Sequence, residues 1–115
     1  MRRGDIYLVD LEPVRGSEAS KARPAVIVSN DAANRSAERA GRGVLTVVPV
    51  TSNTSRVFPF QVLLEAEACG LPKDSKAQGE QVRAVAVERL LRRVGSLPAD
   101  VMVRLDVALR RHLAL

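Results

Sequence analysis

Arg23-Pro24-Ala25-Val26-Ile27-Val28-Ser29-Asn30-Asp31 reads as a β-strand, Ala25 to Ser29, entered through a proline and closed by turn-forming residues. A second run, Gly43-Val44-Leu45-Thr46-Val47-Val48-Pro49-Val50, predicts a strand from Val44 to Val50 and ends on Thr51-Ser52-Asn53-Thr54. Pro49 has no N–H to give to a neighbour, so this strand should lie at an edge or a bulge there. An arginine precedes one strand and a hydroxyl cluster follows the other. A fixed cation with hydroxyl donors suits the grip of a phosphate.

Outward from this pair the chain reads mostly as short strands. Ile6 to Leu11 is apolar on both faces apart from Asp10, as in a strand covered on both sides or curled into a barrel. Glu12 to Arg23 is a polar loop punctuated by Pro13 and Gly16. Asp31 to Ala40, polar and alanine-rich, predicts a short exposed helix or loop ended by Gly41. Gln61 to Leu64 reads as a strand, Glu65 to Gly70 as one helical turn and Leu71 to Ser75 as a turn. Gln81 to Val87 alternates as a fifth strand, and Arg92 to Gly95 gives a short sixth. Leu97-Pro98 opens a helix, with Pro98 suited to its first position. Val101, Leu105, Ala108, Leu109 and His112 fall on one helical stripe, with Met102 and Leu113 beside it. Strands first and a packed helix last predict a mainly β, α+β fold. It is a small SH3-like barrel of strongly bent antiparallel strands with a C-terminal helix, in one domain over residues 1–115.

Composition narrows the class. Apolar residues at 46% and charged residues at 27% describe a globular chain rather than a disordered one. A net charge of +5 suits a polyanionic partner, either nucleic acid or an acidic protein, although a basic balance also serves solubility alone. The single cysteine, Cys69, has no partner for an intrachain disulfide, which points to a reducing compartment. The apolar run after Met1-Arg2-Arg3-Gly4-Asp5 is too short for a signal peptide core, and no stretch reaches the length of a membrane span. A soluble, cytoplasmic protein is expected.

The residues exclude several chemistries. One histidine and one cysteine do not supply a zinc site of the usual spacing, and the acidic residues are scattered without a magnesium-nuclease pattern. No phosphate-binding glycine loop occurs. His112, alone in the last helical turn, reads as a partly buried or capping residue, and Cys69 as an inert, half-buried thiol. No metal or cofactor is expected. An enzyme of this composition works without metal and without histidine, and RNA makes that feasible because its own 2′-OH can attack the adjacent phosphate. The protein then aligns the attack and stabilises the charge on the phosphorane. Arg23 can do so with its guanidinium fork. Thr51, with Ser52 or Thr54, can donate to the nonbridging oxygens, and Ser17 and Lys21 can hold flanking phosphates. Each has a plainer reading, Arg23 as an exposed residue before a strand and Thr51 to Thr54 as an ordinary turn. Base stacking has only Tyr7, Phe58 and Phe60 to draw on.

Nearly end to end, the chain resembles the MazF/PemK family of toxin endoribonucleases. The resemblance is carried by Arg3-Gly4-Asp5-Ile6-Tyr7 with Asp10-Leu11, by Gly16-Ser17-Glu18, by Arg23-Pro24-Ala25-Val26-Ile27-Val28-Ser29-Asn30 and by Val48-Pro49-Val50-Thr51-Ser52. Phe58-Pro59-Phe60-Gln61-Val62, Asp74-Ser75, Glu80-Gln81-Val82-Arg83, Arg89-Leu90 and Val94-Gly95 continue it. It implies an SH3-like homodimer that cleaves single-stranded RNA at short sequences without metal and is neutralised by a cognate antitoxin. It implies Arg23 and Thr51 as the catalytic residues and Ser17 as the loop serine. Ser17, Glu18, Lys21, Ser52, Asn53 and Thr54 are the expected RNA-binding residues, with Glu18 also a candidate to accept the 2′-OH proton. Ala19 stands where many relatives carry glutamine, and Lys76-Ala77-Gln78-Gly79-Glu80 is polar where the family is often apolar. A non-enzymatic toxin on the same barrel, binding a protein target as the CcdB gyrase poisons do, is the alternative. A basic nucleic-acid-binding module without catalysis is a third reading.

Overall fold

The computed structural model describes residues 1–11, 15–18 and 22–115. Along these residues run β1 (Asp5–Asp10), β2 (Ala22–Ile27), α1 (Asp31–Ala40), β3 (Val44–Thr51) and β4 (Gln61–Leu64). They continue with α2 (Ala66–Cys69), β5 (Ser75–Gln78), β6 (Arg83–Ala86), β7 (Leu90–Ser96) and α3 (Ala99–Leu113). All strand pairs are antiparallel, in the order β4-β5-β3-β2-β1-β7, with β6 also on β3. This is the bent antiparallel barrel with a C-terminal helix that the strand pattern predicts.

β3 is the strand that bends the sheet. Its first half, Val44 to Val47, pairs with β6, and its end, Val50 and Thr51, pairs with β5. Its other edge pairs with β2. The Thr46 carbonyl accepts from Val28 N–H, so by alternation Pro49 turns its nitrogen toward the edge where β6 has ended and β5 begins. The missing donor therefore falls in a gap between partners, as a proline in a strand requires. β1 and β7 add two register shifts, between Ile6 and Tyr7 and between Leu8 and Val9, of the kind that increases local curl.

The alternation of the central strands sorts their side chains into two cores. Ile6, Val26, Val48 and Val50 pack with Val62, Leu64, Cys69 and, from α3, Val101, Leu105 and Ala108. Val9, Ala25, Ile27 and Val47 turn the other way, onto Leu11, Val85, Tyr7 and Leu90. Both faces of these strands are thus covered, which is why the runs read as continuously apolar. The stripe of α3 docks as its spacing predicts, except that His112 and Leu113 end it exposed. His112 is therefore not a partly buried residue. Its ring centroid lies 6.4 Å from that of Phe60. Pro98 is the N-cap of α3 rather than its first residue. Cys69 is fully buried, not half-buried, and burial raises its thiol pKa first, followed by nearby Glu65 and Asp100.

The segment 31–40 is a true helix. Asn30 caps it by accepting from Ala33 N–H at 2.8 Å, and Gly41 ends it at φ +66°. Its fixing to the sheet rests on Asn34, fully buried, whose amide donates to the Ser29 carbonyl at 2.9 Å and accepts from the Ser29 hydroxyl at 2.6 Å. Arg3 ties the other end of the molecule together. Its Nε donates to the Val28 carbonyl at 2.8 Å, and its guanidinium pairs with Asp106 on α3 at 2.7 Å.

Several strand boundaries differ from the sequence reading. β2 begins at Ala22 because β1 supplies partners as far as Asp10↔Ala22, so Arg23 is half-buried within a strand, not exposed at a loop end. β6 covers only Arg83–Ala86 because 3₁₀ turns flank it, and β7 is seven residues long, reaching both ways beyond the short strand expected there. β5, in the polar segment read without a strand, exists because β3 and β4 flank it. Its Lys76 is only 8% exposed. Among the described residues no helix is long and apolar enough to cross a membrane.

Candidate active site

The ladder between β2 and β3 pairs Ala25 with Pro49. Continued past that last pair, the register sets Arg23 opposite Thr51. Both residues line one open cavity of about 400 Å³, with Ser52, Pro24, Pro72, Lys73 and Ser75 among the other walls. The arginine of β2 and the threonine that ends β3 are thus brought to one cavity by strand pairing. Among its described lining residues are two cations, Arg23 and Lys73, and no carboxylate. Such a wall attracts an anion.

Thr51 is half-buried at the end of β3, and its Oγ1 accepts from Asn53 N–H at 3.3 Å. That contact uses a lone pair and leaves the O–H to donate. Ser52 is exposed beside it. Asn53 turns inward on its own loop. Its side-chain oxygen accepts from Ser55 N–H at 3.3 Å and from the Ser55 hydroxyl at 2.9 Å. Neither Asn53 nor half-buried Thr54 lines the cavity.

The serine loop arrives from elsewhere in the fold. The Ser17 carbonyl accepts from Gln81 Nε2 at 3.1 Å, a contact across 64 positions, while Ser17 remains exposed. The Glu18 carboxylate accepts from Arg15 N–H and so closes its own turn. Neither Ser17 nor Glu18 is among the residues lining the cavity. Lys21 and Ala19 lie outside the described residues.

Phe58 and Phe60 stack in parallel with centroids 5.3 Å apart, and the Arg56 guanidinium lies 4.6 Å from the Phe58 centroid. Lys76 Nζ lies 5.9 Å from that centroid and donates to the Arg56 carbonyl. These aromatic contacts tie the 56–60 segment together, with both rings half-buried. Tyr7 packs against the core, and burial raises its phenol pKa first. Among the described residues no three His, Cys, Asp or Glu side chains gather as metal ligands. Two cavity residues, Lys73 and Ser75, escape the sequence reading, which places them in a plain turn. A basic residue just before Asp74-Ser75 was the only signal available.

Residues 2–113 match the family described as PemK-like, MazF-like toxin of type II toxin–antitoxin systems. The chain belongs to this toxin family. The toxin is 61% identical to endoribonuclease MazF9 of Mycobacterium tuberculosis over 115 residues, 100% of this chain and 98% of that one. It is 34% identical to endoribonuclease EndoA of Bacillus subtilis, over 100% of this chain and 96% of that one. A solved mycobacterial endoribonuclease in complex with its cognate antitoxin shares the toxin's fold at a TM-score of 0.77. That match covers 100% of this chain and 96% of the other at 24% identity.

Proposed function

We propose that this toxin is an endoribonuclease that cuts single-stranded RNA at selected sequences by making the RNA's own 2′-OH the nucleophile. The observation that carries this is the cavity in which Arg23 and Thr51 come together across β2 and β3. Relatives named endoribonucleases at 61% and 34% identity support the class. In the proposed reaction the 2′-oxygen bonds to phosphorus as the P–O5′ bond breaks. The proton lost by the 2′-OH is matched by one gained at the 5′-oxygen, so no water is consumed. The Arg23 guanidinium stabilises the extra negative charge of the phosphorane. Thr51 donates its O–H to a nonbridging oxygen, and Ser52 stands ready beside it. No step calls for a metal.

Two partners complete the reading. A cognate antitoxin is expected to neutralise the toxin, because a relative of the same fold is seen with its own and because a chain of net charge +5 suits an acidic tail. A homodimer is expected from the exposed apolar strip of Leu63, Val103 and Val107. These residues line a groove of about 500 Å³ between β4 and α3.

The test uses RNA with a single deoxyribose 5′ of the cut. Wild-type protein in EDTA should cut the all-ribose RNA to a 2′,3′-cyclic phosphate and a 5′-hydroxyl. It should bind the substituted RNA without cutting there, because phosphate contacts supply most of the affinity. A 5′-phosphate product, or cutting at the deoxyribose, would make water the nucleophile and remove this mechanism. Binding without any cut would leave a nucleic-acid module.

A further inference from the structure

Thr51 ends β3 with a strand on each side. Toward β2 the register leads to Arg23, and toward β5 it pairs Thr51 with Lys76. Three basic residues therefore neighbour Thr51 in the fold: Arg23, Lys76 and, from the turn before β5, Lys73. They are not equivalent. Lys76 is buried, donates to the Arg56 carbonyl and lies near the Phe58 ring, so its ammonium belongs to the structure of the 56–60 segment. Lys73 is exposed and lines the cavity itself.

The turn is built to keep Lys73 there. The Ser75 hydroxyl donates to the Lys73 carbonyl at 3.0 Å and fixes the backbone at that point. The adjacent Asp74 carboxylate accepts from Ala66 N–H at 2.8 Å and is tied to the start of α2. Asp74 is not among the cavity walls. Opposite charges at consecutive positions are thus directed to different places. Among the described residues the Lys73 ammonium meets no carboxylate at ion-pair distance.

We propose that Lys73 is a second phosphate-gripping residue of this site, holding the phosphate next to the one that is cut. The proposal rests on the RNA-cleaving reading above. Its chemistry differs from that of Arg23. A planar guanidinium fork suits two oxygens of one phosphate as charge builds up. An ammonium on a flexible stem acts as a point charge on a neighbouring group that does not change during the reaction. A cavity of about 400 Å³ is large enough for a nucleotide-sized ligand, so two successive phosphates can lie along its rim. Lys73 is a positioning residue: it sets where the chain enters, and Arg23 and Thr51 act on the bond.

The test compares wild type, Lys73→Gln and Lys73→Arg by binding to the deoxy-substituted RNA over a range of salt, and by single-turnover cleavage of all-ribose RNA at saturating protein. Lys73→Gln should weaken binding roughly three- to tenfold at low salt and make the log–log salt slope shallower by about 0.7, the share of one phosphate contact to a single strand. The saturated cleavage rate should fall less than binding does, and Lys73→Arg should recover the slope. Circular dichroism of each variant should match wild type, since the side chain is exposed. Unchanged affinity and slope in Lys73→Gln, with wild type binding and cutting normally, overturn the Lys73 assignment and leave the site intact. A loss confined to the saturated rate overturns it too. Failure of wild type to bind or cut RNA overturns the underlying reading instead.

Discussion

Arg23 and Thr51 make different demands on their substitutions. Losing one donor aimed at a transition-state charge costs roughly 10²–10³ in rate, so Arg23→Ala should fall by that amount. Arg23→Lys should recover only part of it because the fork is gone. Arg23 is half-buried in β2, so the variant's thermal melt must be compared with that of wild type before the rate is read. At Thr51 the question is hydroxyl against shape. Thr51→Val keeps the branched outline and strand preference but has no O–H, while Thr51→Ser keeps the O–H. Cleavage should survive in serine and collapse in valine, and the opposite order would make Thr51 a packing residue. Glu18 is a poor candidate for the proton acceptor. Its carboxylate is already bonded to Arg15 N–H, and it does not line the cavity.

Two glycines show how the elements are held. A Cβ on Gly95 of β7 would sit 2.0 Å from the Cys69 carbonyl oxygen at the end of α2, and one on Gly79 would sit 2.3 Å from the Phe60 carbonyl oxygen. Both obstacles are backbone, which cannot swing aside as a side chain can. Gly79 N–H also donates to that Phe60 carbonyl at 3.1 Å, so this close approach carries the join between β4 and the turn after β5. Gly95→Ala should therefore cost about 1–3 kcal/mol or more in urea unfolding, the scale of overpacking. A fully stable Gly95→Ala protein would mean that β7 and α2 can move apart. Gly70, at φ +77°, shows the other use of glycine, ending α2 in the left-handed region.

At the scale of the whole molecule the barrel brings Arg23, Thr51 and Lys73 to one cavity at the end of β3 and leaves an apolar strip between β4 and α3. The basic character of the chain and a cavity wall without a carboxylate among its described residues suit one groove that takes either RNA or an acidic antitoxin tail. An acidic antitoxin peptide and a non-cleavable RNA should then compete. In a fluorescence displacement assay each should raise the apparent Kd of the other in proportion to its own concentration. Simultaneous saturation by both would place them on separate surfaces.

The local pattern was enough for the central strands, for α3 and for the helical turn before Gly70. The central strands carry continuous apolar runs, α3 carries a helical apolar stripe and the turn ends on its glycine, and burial follows the runs and the stripe with few exceptions. The same pattern named Arg23 and Thr51, because a charge and a hydroxyl at strand ends are visible without coordinates. Their juxtaposition was not visible, since it follows from the β2–β3 register across some 28 positions of chain. β5 was hidden for a related reason. Ser75-Lys76-Ala77-Gln78 has no strand signal of its own, and its state is imposed by β3 on one edge and β4 on the other. The contrast between buried Lys76 and exposed Lys73 comes from the same placement. Two lysines three residues apart are alike as letters. Only the packing around them decides that one holds a loop and the other faces the cavity.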